Sequence, residues 1–140
     1  MELYFGGAYN GKLRLIKEKF NIDEKDIFFC GEGKIDFSKK VICGIHMFIY
    51  NEVINGRDAM AFFKKNIERF NDKIIISDDL SSGIVPLKKE DRKWREETGK
   101  VLQFLNSQIH PSTVRRTMTF SRKNLQKQRR IWRITMDYRR

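Results

Sequence analysis

Histidine and cysteine are scarce in this chain, and each scarcity removes a class of explanation. Two histidines, His46 and His110, and two cysteines, Cys30 and Cys43, are spread over 140 residues. Nowhere do they approach the spacing of a zinc site. Each cysteine closes an apolar, strand-like run, which predicts buried free thiols in a reducing compartment rather than a disulfide. Long apolar runs are missing too. None approaches the roughly 20 residues that span a bilayer, and no signal-peptide pattern opens the chain, so the expected location is the cytoplasm. Internal repeats and low-complexity blocks are absent. Acidic residues are lacking in one region only: residues 106–140 carry ten Lys and Arg against a single acid, Asp137. Residues 1–105 are nearly balanced, with 19 basic and 17 acidic side chains. The net charge of +11 therefore belongs mostly to the C-terminal segment.

What is present begins with Gly6-Gly7-Ala8-Tyr9-Asn10-Gly11-Lys12-Leu13. An apolar run, Leu3-Tyr4-Phe5, precedes it and reads as a short buried strand. Leu13, Ile16 and Phe20 follow at helical spacing with Lys and Glu between them. Strand, glycine-rich turn and helix with Lys in its first turn is the layout of a phosphate-binding loop, G-x-x-x-x-G-K-[ST]. Glycines allow backbone N–H groups to turn towards a phosphate, the helix N-terminus adds partial positive charge, and the lysine reaches the outer phosphates. Leu13 departs from the pattern, standing where a hydroxyl would ligate Mg²⁺. The competing explanation is a Gly-rich strand–helix turn with an exposed lysine.

Further along, 26–30 and 41–45 read as strands, the second continuous as for a strand covered on both faces. The segment 46–54 is ambiguous between strand and helix and ends at the turn signal Asn55-Gly56. From Asp58, Ala59, Phe62, Phe63, Ile67 and Phe70 share a helical face. Lys73-Ile74-Ile75-Ile76-Ser77 is the clearest strand, and a long helix is expected over 89–105 with Trp94, Thr98, Val101, Leu102 and Leu105 inward. The alternation predicts an α/β domain with a mostly parallel, P-loop NTPase-like sheet flanked by helices and joined by right-handed connections. Ligands in such sheets bind at the carboxyl ends of strands. The glycine loop, Gly44 and the pair Asp78-Asp79 should therefore share one rim. Asp78-Asp79 suits a metal or a base beside a transferring phosphoryl group, or equally a strand-end Asx turn. Arg92 and Arg95 suit a phosphate clamp, or surface pairing with Asp91 or Glu96.

The stretch Ile75-Ile76-Ser77-Asp78-Asp79-Leu80-Ser81-Ser82-Gly83-Ile84-Val85-Pro86, with Arg92, Arg95, Glu96, Gly99 and Gln103 after it, resembles the cobinamide kinase/cobinamide-phosphate guanylyltransferase family of vitamin B12 assembly. That family has an Asn-Glu pair at the strand end, a G-x-G-I-V-P loop and an R-x-x-R-[DE]-x-x-G-x-x-x-Q helix. Its phosphate loop usually reads GGxRSGKS, which Gly6-Gly7-x-x-x-Gly11-Lys12 matches. The resemblance covers roughly residues 1–105. It implies ATP or GTP bound by Gly6, Gly7, Ala8, Tyr9, Asn10, Gly11, Lys12 and Leu13, with Lys12 and Asp79 catalytic and a corrinoid as the acceptor. Asp79 stands at the family's Glu, near the metal or the accepting hydroxyl, while Arg92 and Arg95 face substrate or phosphate. A homo-oligomer is a further expectation. Three departures accompany it. Leu13 replaces the hydroxyl ligand of Mg²⁺, and Cys43 stands in place of a strand-end acid. The family's His-rich segment, which supplies the GMP-accepting histidine, has no counterpart. His46 and His110 match no such nucleophile and read as packed or surface histidines. The kinase half is therefore the half implied; a non-catalytic nucleotide-binding relative is the alternative.

Residues 106–140 are expected to form a separate, weakly packed or mobile basic tail, since they bring no apolar β-branched run. Arg115-Arg116, Arg129-Arg130 and Arg139-Arg140 with Trp132 and Tyr138 between them suit single-stranded nucleic acid. An anionic membrane surface is a poorer match, because the apolar periodicity is weak. Arg exceeds Lys here and Lys exceeds Arg before it, a change that also fits an unrelated extension or a frame slip.

Overall fold

A computed structural model describes residues 1–7, 11–31, 33–80, 85–109 and the backbone of 117–120. Among these residues five strands form one sheet: β1 (Glu2–Gly6), β2 (Ile27–Phe29), β3 (Val41–Cys43), β4 (Ile74–Asp78) and β5 (Thr117–Phe120), in the order β2-β3-β4-β1-β5. All four pairings are parallel. Among the described residues four α-helices accompany them: α1 (Lys12–Phe20), α2 (Ile45–Ile54), α3 (Ala59–Lys65) and α4 (Lys89–Ser107). The α/β class and the parallel sheet are as the alternation of periodicities predicts. Among the described residues no helix is long and apolar enough to cross a membrane.

Side chains alternate across the pleat and divide the core in two. Leu3, Ile42 and Ile75 face α2, α3 and α4, meeting Ile45, Phe48, Ile49, Phe63, Phe70, Val101 and Leu105. Tyr4, Val41, Ile74 and Ile76 face the other way and meet Leu15 and Ile16 of α1. The continuous apolar runs of β3 and β4 follow from this double cover. Chain direction accounts for which helix lies where. The path β1–α1–β2 leaves β1 towards one sheet edge, while β4–α4–β5 leaves β4 towards the other. Connections of one handedness then place α1 and α4 on opposite faces, as observed. Adjacent strands whose connections diverge open a crevice at their carboxyl ends, and here those strands are β1 and β4.

Three expectations change. The ambiguous segment 46–54 is helix, because Ile45, Phe48, Ile49 and Val53 recur at helical spacing and all are buried. The helix begun at Asp58 is interrupted: α3 stops at Lys65 and Ile67–Phe70 continues as a 3₁₀ turn. The division at residue 105 also moves. Helix α4 runs to Ser107, Ile109 is buried, and Thr117–Phe120 pairs in parallel with Leu3–Gly6 of β1. Part of the basic segment thus completes the sheet. An edge strand needs only backbone pairing on one side and residues such as Thr and Phe that suit a pleat, so a long apolar run is not required. His110, the paired arginines, Trp132 and Tyr138 lie outside the described residues.

Candidate functional site

The rim where β1 and β4 diverge carries a cavity of about 190 Å³ lined by Gly11, Lys12, Leu13, Arg14, Cys43, Gly44, His46, Ile76, Ser77 and Asp78. Two helices start on it. Gly11 before α1 and Gly44 before α2 both hold left-handed backbone, at φ 82° and 83°, and among the described residues neither helix has a side-chain cap. Glycine tolerates that conformation where a side chain would be strained. Both helices therefore turn their N-terminal, partially positive ends towards the rim. Backbone hydrogen bonds tie the rim together: Asp79 N–H donates to Gly6 O at 2.6 Å, and Gly44 N–H to Ile76 O at 2.7 Å.

Lys12 is buried, at 5% exposure, rather than extended into solvent. Its Nζ donates to Gly7 O at 2.7 Å, to Gly6 O at 3.3 Å and to Asp78 Oδ1 at 2.8 Å. The ammonium thus lies along the start of the glycine loop, bridged to the end of β4. Arg14 also lines the cavity, but its side chain is largely exposed and pairs with Glu18 at 3.1 Å.

Of the two strand-end acids, Asp78 lines the cavity and Asp79 does not. The pleat decides this. Ile74 and Ile76 face α1, and two further residues along the strand bring Asp78 to the same side as Lys12. Arg92 and Arg95 do not line the cavity either; Arg92 Nη1 donates to Pro86 O at 3.2 Å and to Leu87 O. Gly6 ends β1 beside the site. Ala8, Tyr9 and Asn10 of the glycine loop lie outside the described residues, as do Ser81 to Ile84.

His46 is the residue that sequence reasoning set aside. It stands in the first turn of α2, where Nδ1 accepts from the Asp78 N–H at 3.1 Å and Nε2 lies 3.3 Å from Asp78 Oδ2. Accepting at Nδ1 places the imidazole proton on Nε2, the nitrogen nearer the carboxylate. Burial pushes the His46 pKa below its ordinary value; Asp78 opposes that shift and Lys12 reinforces it. The signal for it was available: a helix starting at Gly44 brings its first-turn side chains to the same rim.

Cys43 carries a thiol pushed up to about 11 by burial and by Asp78, and Cys30 one pushed up to about 12 by burial and by Cys43. Both are protonated at neutral pH and poor metal ligands. They pack against opposite faces of the sheet, which disfavours a disulfide between them. Among the described residues no group of three or more His, Cys, Asp and Glu could hold a metal ion. The lining fits Mg²⁺ poorly: Leu13 and a neutral thiol offer no hard oxygen, and the Asp78 carboxylate is already engaged. Comparison of the chain with protein-family models and with curated proteins found no match.

Proposed function

We propose that this rim binds the polyphosphate of a nucleoside triphosphate, ATP or GTP. The observation that carries the reading is the buried Lys12 ammonium, in the first turn of α1 and against the carbonyls of Gly6 and Gly7. A lysine there meets an anion already near two helix N-termini, at the crevice where α/β sheets bind ligands. The parallel sheet is compatible with a P-loop-like fold. On this reading Gly6 to Leu13 cradle the phosphates, and the resemblance to the cobinamide kinase family supplies the reaction class. That reaction is transfer of a phosphoryl group to a corrinoid hydroxyl in the cytoplasm, without the guanylyltransferase half. The acid nearest the chemistry is then Asp78 rather than Asp79, because Asp78 shares the cavity with Lys12.

A second reading, a nucleotide-binding relative without catalysis, is favoured by Leu13 and Cys43, which leave the cavity without the usual oxygen ligands for magnesium. Isothermal titration of the full chain with ATP and GTP, in EDTA and in magnesium, separates the two. The binding-only reading predicts affinity that changes little with magnesium and no phosphoryl transfer. A magnesium requirement that disappears in Asp78→Asn supports the kinase. No heat with either nucleotide overturns both.

A further inference from the structure

Asp78 is held from three directions. Lys12 Nζ meets Oδ1 at 2.8 Å, His46 Nε2 meets Oδ2 at 3.3 Å, and the Asp78 N–H is donated to His46 Nδ1 at 3.1 Å. The imidazole is fixed in turn. Its backbone carbonyl accepts from Trp94 Nε1 at 2.6 Å, and its ring stacks against that indole with centroids 6.4 Å apart. An anion entering the cavity thus meets a cation already neutralised by a carboxylate that lies against a neutral histidine. Like charges at this range repel strongly in a partly buried site.

We propose that His46 is a positioning residue that aims Asp78 at Lys12, so that Asp78 is the competitor a phosphate group must displace. The inference rests on the triphosphate reading and adds its internal control. Removing the competitor should tighten anion binding, the reverse of what truncating a binding residue ordinarily does. Removing the positioning residue should act only through Asp78.

The test titrates inorganic triphosphate in EDTA into the full-length protein and its variants. Asp78→Asn is expected to bind about tenfold more tightly than the wild type, the scale of one relieved charge repulsion. His46→Ala should move the same way by less. His46→Asn restores an acceptor for the Asp78 N–H and should return towards the wild-type value. The double variant Asp78→Asn/His46→Ala should bind no more tightly than Asp78→Asn alone, as two residues acting through one contact require. An Asp78→Asn protein that binds equally or more weakly overturns the proposal. So does a His46→Ala effect that persists undiminished in the Asp78→Asn background. If the wild type binds no triphosphate, the phosphate reading falls, and the ¹⁵N NMR spectrum of His46 decides the positioning claim by itself, as it does should a variant fail to fold. The Nε2–H tautomer at neutral pH is expected; the Nδ1–H tautomer or an imidazolium refutes it.

Discussion

The two faces of the sheet differ in what they bury. The face under α2, α3 and α4 is apolar and aromatic: Phe48 meets Phe62 and Phe63 with centroids 4.6 and 5.8 Å apart, and Phe63 meets Phe70 at 5.4 Å. The face under α1 has a smaller apolar cluster and admits polar groups at both ends of the strands. Tyr4 Oη donates to Glu2 Oε2 at 2.8 Å near one end, and Lys12 pairs with Asp78 at the other. Burying a charge is tolerable only with a partner, and the buried Lys12 ammonium has its partner in Asp78. One face is built for stability, and the other carries the candidate chemistry at its rim.

The largest expected effect lies on the three-helix face. Phe63 is fully buried, and Phe63→Ala should cost about 4 kcal/mol of unfolding free energy through lost burial and the cavity left behind. Chemical denaturation measures it, and a cost under about 1 kcal/mol would mean that the aromatic cluster is not the core.

The rim should show its own signature in acid. The folded-state pKa of His46 is lowered from 6.5, first by burial. Above that value the imidazole is neutral in both states and nothing is lost. As pH falls below it, the unfolded chain takes up the proton first, and stability declines until the folded-state pKa is reached. Melting curves between pH 7.5 and 5 should show this decline in the wild type and a shallower one in His46→Asn. Equal slopes would remove the buried, neutral histidine from the account.

A smaller effect returns to the three-helix face and sharpens its apolar character. Among the described residues Thr98 Oγ1 is buried without a hydrogen-bond partner, so Thr98→Val, which keeps the shape and removes the hydroxyl, should stabilise by about 1 kcal/mol. A loss of stability would show that the hydroxyl has a role the apolar packing does not explain.

Legibility in the sequence follows the same division. The three-helix face was plain, since Ala59 and Phe63, and Thr98, Val101, Leu102 and Leu105, fall inward at helical spacing as expected, while Phe70 is buried from the 3₁₀ turn. The β4 run was equally plain because its centre is β-branched. The rim was harder. Two adjacent acids look alike in sequence, and only the pleat separates Asp78 from Asp79. His46 was missed because a continuous apolar run passes from β3 into α2 with Gly44 as the sole punctuation. The fifth strand was missed because an edge strand in a basic segment needs little hydrophobicity, and its partner, β1, is more than a hundred residues away in sequence.

The most direct test of the central claim compares triphosphate binding by the wild type and Lys12→Ala in one titration with ATP and GTP. The account predicts that the variant loses about 2 kcal/mol, roughly thirtyfold in affinity, the scale of a charge-assisted contact. Equal affinity in the two proteins would contradict it and leave Gly6 to Lys12 as a turn.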